Sequence, residues 1–154
     1  MTNSDTKYFE LKDSGDFIRI DLLKLSHPDA ELDWDNNWIK SNVTVKAGAF
    51  TGQFDAELMT TDFEKFKQEL SRLYDKLDGT ALFDTLEGQV VIKIKGDGIG
   101  HFEADCSVMD FAGTGNKLEF EINFDQTIIT KMVNQLEGIT NAFPISGDLK
   151  IKNG

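Results

Sequence analysis

Asp33, Asp35 and Asn37 stand at the first, third and fifth places of a D-x-[DN]-x-[DN]-G calcium loop, within the stretch DWDNNW at residues 33–38. Oxygen donors at alternate positions are what a hard cation needs. The pattern then breaks, because Trp38 occupies the place of the glycine that makes the sharp turn and Thr44 that of the bidentate glutamate. Calcium is therefore not expected. Zinc is not expected either, since His27 and His101 are the only histidines and neither lies in a ligand spacing. The same stretch carries two tryptophans, and two readings of it stand. Trp34 and Trp38 are the aromatic anchors of a partner patch, or they belong to a turn with one or both rings packed inward.

Other chemistry is thinly represented. His101, next to Glu103 and Asp105 on an outward strand face, has the type of a general base, but a surface histidine beside acidic residues is the plainer reading. Cys106 alternates with Phe102, Ala104 and Val108, so it reads as a small buried hydrophobe rather than a nucleophile. Gly96, Gly98 and Gly100 resemble part of a phosphate loop, yet a strand follows them where a helix N-terminus is required, so a hairpin turn is expected. There is no G-x-S-x-G elbow. Carboxylates are plentiful, but a glycosidase needs two at a set separation in a cleft, and these are spread over exposed strand faces. No enzyme and no cofactor are expected.

The charge is more informative. The chain has 154 residues and a formal charge of −11. Residues 27–38 carry Asp29, Glu31, Asp33 and Asp35 with no Lys or Arg, and residues 101–125 carry Glu103, Asp105, Asp110, Glu119, Glu121 and Asp125 against Lys117 alone. These two segments hold most of the excess. Nucleic acid is bound by cations that neutralise phosphates, so direct nucleic-acid binding is not expected and a basic protein partner is. No basic segment followed by an apolar run opens the chain, and no apolar stretch is long enough to span a bilayer. With a single cysteine, the expectation is a cytoplasmic protein away from membranes. The length and twelve phenylalanines suit one domain over residues 1–154.

Hydrophobic periodicity supplies the elements that must position these side chains. Residues 38–47 and 50–58 alternate apolar and polar around Gly48, which predicts a hairpin. From Thr61 the spacing is helical, with Phe63, Phe66, Leu70, Leu73, Tyr74 and Leu77 on one side, a Thr61–Glu64 capping box and Gly79 as the stop. The second half repeats the plan. Strands are expected at 80–84, 89–95, 101–108 and 117–124, then a helix from Gln126 capped by Asp125 and ended by Pro144. Strands at 8–12 and 17–25 complete an α+β fold: a mainly antiparallel sheet of about eight strands with two packed amphipathic helices. Phe50, Phe54, Phe66, Leu70, Phe120, Ile122, Phe124, Met132 and Leu136 are the expected core.

The pieces WDNNW, FTGQF, DFEKFKQELSRLYDKLDGTALFD, GTGNKLEFEINFDQT and FP follow one another over residues 30–144 in an order that resembles the WapI-like family of bacterial immunity proteins. The chain departs from that pattern at Asn36, where the family has glycine; asparagine also tolerates left-handed φ. The resemblance implies a small cytoplasmic antidote, encoded beside a polymorphic toxin delivered between neighbouring cells, that binds the toxin's C-terminal domain. The family's namesake guards against a tRNA-cleaving toxin, so a nuclease is implied. An acidic protein suits the basic surface such a toxin presents to RNA. The expected partner surface is Asp29, Glu31, Asp33, Trp34, Asp35, Asn37 and Trp38, with Glu103, Asp105, Glu119 and Glu121. The alternative is a small-molecule binding module whose phenylalanine-rich inward faces surround an apolar pocket.

Overall fold

The computed structural model describes residues 6–28 and 35–146, the side chain of Asp35 excepted. Asp29, Glu31, Asp33 and Trp34 of the expected partner surface lie outside the described residues. The chain runs β1 (Lys7–Asp13), β2 (Asp16–Leu25), β3 (Trp38–Ala47), β4 (Phe50–Met59), α1 (Thr60–Lys76), β5 (Asp78–Asp84), β6 (Val90–Asp97), β7 (His101–Met109), β8 (Lys117–Asp125) and α2 (Gln126–Ala142). Short 3-10 turns at Asp35–Asn37 and Leu86–Gly88 precede β3 and β6.

The eight strands are all antiparallel, as the α+β expectation requires, but they form two sheets of four, ordered β1-β2-β3-β4 and β5-β6-β7-β8. Helix α1 is the reason. It begins at the residue after β4 and carries the chain for 17 residues before β5, so β5 pairs with β6 and leaves β4 as an edge. The halves thus share one plan, a four-strand meander followed directly by a 17-residue helix. Each helix lies on the first strand of the other half or of its successor: α1 packs on β5 and α2, and α2 packs on β1.

One core joins these layers, because the alternating apolar residues of both sheets meet the helices. Phe66 of α1 stands edge-on to Phe9 of β1 with ring centroids 5.7 Å apart and lies 5.4 Å from Phe83 of β5, so one ring touches both sheets. Leu70, Ile122, Phe124, Met132 and Leu136 are buried beside them. Each such side chain contributes roughly 1.5–3 kcal/mol by leaving water. Phe50 departs from the expected core: it has the right phase but is 67% exposed, at the end of β4 far from α1. Phe54 and Phe120 are half-buried for a similar reason of position along their strands.

Both ends of α1 differ from expectation, while the start of α2 does not. Asp125 does cap α2, accepting the Thr127 N–H at 2.9 Å. The Thr61–Glu64 capping box does not form, because α1 starts at Thr60 with Met59 as its cap residue, and Glu64 pairs instead with Lys67 at 2.8 Å. The Thr60 hydroxyl donates to the Phe143 carbonyl, fastening the start of α1 to the end of α2. At the other end Leu77, not Gly79, takes the left-handed conformation (φ 62°) that stops α1, and its N–H returns to the Leu73 carbonyl. No described helix is long and apolar enough to cross a membrane.

Candidate functional site

The outward face of β7 and β8 brings together one of the two expected acidic groups. Alternation exposes Glu119 and Glu121 on β8 and Asp105 on β7, with Glu103 half-buried on the same face. Antiparallel register sets Asp105 opposite Glu121 and Ser107 opposite Glu119. Carboxylate oxygens of Glu103, Asp105 and Glu121 lie within 4.8 Å of one another. Three like charges so close make a local negative potential. On the other flank of β7, Lys95 stands opposite Glu103 and Lys93 opposite Asp105, so the negative excess is greatest towards β8.

The tryptophan stretch is split by the structure. Asn37 is fully buried, and its side-chain oxygen accepts the Ser146 N–H at 2.8 Å. It therefore ties the entry of β3 to the segment after α2. Asn36 sits inside the 3-10 turn without a positive φ, so glycine-like freedom is not used there. Trp38 begins β3 on the outward side, next to exposed Lys40, and is half-buried.

Trp38 is half-buried because it lines a cleft of about 530 Å³. Three large apolar side chains, all exposed, converge on the same cleft from separate segments: Leu23 (56% exposed), Leu86 (60%) and Phe111 (70%). Each sits on a backbone irregularity. The β2–β3 register slips between Leu22 and Lys24, leaving Leu23 as the extra residue of a bulge, a device that re-aims a side chain out of the ladder. Leu86 opens the 3-10 turn between β5 and β6, next to Glu87 at φ 60°. Phe111 lies in the loop between β7 and β8, where Asp110 accepts the Asn116 N–H at 2.7 Å. The rim is acidic, with Asp55, Glu57, Glu87 and Asp110 against Lys40.

The walls of this cleft are tied together. Gln89, buried after the Leu86 turn, donates its side-chain N–H to the Asp55 carbonyl of β4 at 3.2 Å and accepts the Met109 N–H at 2.8 Å. The Thr85 hydroxyl bonds Val90 at 3.0 Å and closes the same turn. Beyond Asp55, Asn42 donates to its carboxylate at 2.9 Å and accepts from Gln53 at 2.8 Å. None of this was legible as a site, since the bulge at Leu23 has no sequence mark. Phe111 did carry a signal, an aromatic residue inside the turn-rich run DFAGTGN.

The remaining candidates are structural. Gly98 and Gly100 adopt positive φ in the β6–β7 hairpin, and Asp97 accepts the N–H groups of Ile99 and His101, which holds its carboxyl below the usual range. Cys106 is buried, and burial with Asp105 beside it pushes its thiol up to about 12, so a reactive thiolate is not formed.

The sequence profile of the immunity protein WapI-like family matches residues 9–144. No curated protein matches the chain.

Proposed function

The chain belongs to the WapI-like family of immunity proteins, and from that premise we propose that it neutralises a cognate toxin domain by binding it through an acidic surface. The family match is the observation that carries this reading. Supporting the acidic surface, Glu103, Asp105 and Glu121 are clustered, with Lys93 and Lys95 opposite two of them on β6, and Glu119 extends the row. Such a surface attracts the basic face that a nuclease presents to phosphates, and charge complementarity accelerates encounter. Neutralisation is by occupancy and not by turnover, in the cytoplasm where the incoming toxin acts.

Against the small-molecule alternative stands the packing of the inward faces among the described residues. Phe63, Phe66, Phe83 and Phe9 are packed ring on ring at 5.0–5.7 Å, filling the space between the inward faces. The test is titration of the chain into the purified C-terminal domain of the toxin encoded beside it. Stoichiometric binding with loss of toxin activity is expected; no binding, or binding with full toxin activity, would remove the proposal.

A further inference from the structure

We propose that the cleft between the β2–β4 face and the turns at Leu86 and Phe111 is the docking site of the toxin domain. It takes a protruding aliphatic or aromatic side chain flanked by lysine or arginine. The inference rests on the reading of the partner as a cognate toxin and adds where that toxin docks and what it presents.

A single exposed leucine is ordinary on a protein surface; three large apolar side chains meeting in one concavity are not. Leu23, Leu86 and Phe111 come from residues far apart in sequence, and each is exposed by a local departure from regular structure. Glu87 is the sharpest of these, a non-glycine residue held at φ 60°. Residues kept in such conformations are held there by their surroundings and cluster at binding sites. Here the surroundings are Thr85 and Gln89, whose hydrogen bonds fix the turn to β6, β7 and β4. The apolar floor is thus ordered before a partner arrives, which lowers the entropic cost of binding.

The rim identifies the occupant. Asp55, Glu57, Glu87 and Asp110 stand around the floor, and among the described residues none forms an ion pair with a Lys or Arg and Lys40 is the one cation lining the cleft. An apolar centre inside a ring of carboxylates matches an apolar anchor with cationic neighbours. A second copy of this chain would set like-charged rims against each other. A neutral small molecule would offer the rim carboxylates no counter-charge.

The test uses the full chain and the purified C-terminal domain of the toxin encoded beside it. Hydrogen exchange should show new protection at residues 85–89 and 110–115 on binding. Phe111→Ala should weaken binding about 30-fold or more, the scale of an interface anchor. Glu87→Lys should slow association. Both positions are exposed, so circular dichroism should be unchanged, and the exchange measurement on wild type needs no variant. Wild-type affinity in both variants, with protection elsewhere, would overturn the cleft as docking site while leaving the toxin reading intact. A wild-type dimer that dissociates on Phe111→Ala would assign the cleft to a second copy and also overturn the inference. A wild-type chain that does not bind the toxin domain would remove the toxin reading and the inference together.

Discussion

Glu69 and Gln135 hold the same place in the two helices, each nine residues past the first helical residue, and each accepts a hydrogen bond from an edge strand's backbone. Glu69 of α1 takes the Leu82 N–H of β5 at 2.7 Å, and Gln135 of α2 takes the Glu10 N–H of β1 at 2.8 Å. Both strands are the first of their sheets and have a single ladder partner among the described residues. An edge N–H left open templates unwanted pairing, so these two side chains close the edges that the helices cover. The match between halves is structural and leaves almost no mark in residue identity.

Removing either cap should therefore destabilise the fold. Gln135→Ala and Glu69→Ala are each expected to cost about 1–3 kcal/mol, because a partly buried N–H loses its acceptor. Glu69→Gln keeps an acceptor and should cost less. Urea denaturation measures the difference. The wild type should unfold in one transition, since buried residues of both halves belong to one core; two transitions would divide the chain into separate units.

The same substitution should act with opposite signs at two glycines. A Cβ on Gly96 would collide with the Leu77 carbonyl, the group that also accepts the Gly98 N–H at 2.9 Å, and would lie 2.8 Å from the Phe102 ring. Gly96→Ala should cost on the order of 1–3 kcal/mol by forcing α1 away from β6. In α2, among the described residues a Cβ on Gly138 meets only Lys7 Cδ at 3.9 Å, an ordinary contact. Gly138→Ala should stabilise by about 0.5–1 kcal/mol through helix propensity. Thermal midpoints that move in the same direction would contradict this.

Strand phase was legible because alternation is local: every residue from Phe102 to Val108 faces the side its parity assigns. Depth of burial was not, as Phe50 shows, because it depends on where a helix lies across the sheet. The end of α1 was misplaced by two residues, since Leu77 adopts a conformation that glycine usually takes, stabilised by its contacts to Leu73 and Gly98. The acidic row on β7 and β8 could be read from parity and register. The cleft could not, because Leu23, Leu86 and Phe111 meet only after both sheets have formed, and Asn37 looked like surface while serving as a tie to Ser146.

Asp62 gives a pH signature. Burial in the first turn of α1 and, secondarily, the nearby Asp84 raise its carboxyl to about 6, with Lys65 opposing them. A folded-state value above the ordinary 3.8 means the native protein holds the proton more tightly than the unfolded chain. Stability from this group is present at low pH and is lost as pH rises from about 4 through about 6. Asp62→Asn should therefore be more stable than wild type at pH 7.5, with the gap closing towards pH 4. Paired urea midpoints across that range measure it; a gap independent of pH would refute the assignment.

The acidic row on β8 carries a kinetic prediction that is separate from the cleft. If it steers a basic toxin, the wild-type association rate should fall steeply with added salt, because exposed charges are screened within about 10 Å at 0.1 M. The choice of variant follows from register. Reversing Glu103 or Asp105 would place lysine against Lys95 or Lys93 and disturb the sheet, whereas Glu121→Lys sets a cation opposite Asp105 and Glu119→Lys faces Ser107. The double variant Glu119→Lys, Glu121→Lys should keep its fold, associate more slowly and lose most of the salt slope, while its dissociation rate stays near that of wild type. Stopped-flow mixing with the toxin domain at several ionic strengths separates these quantities. An unchanged salt slope would mean that the row only keeps the protein soluble, and the attraction between acidic face and basic toxin would have to come from elsewhere on the surface.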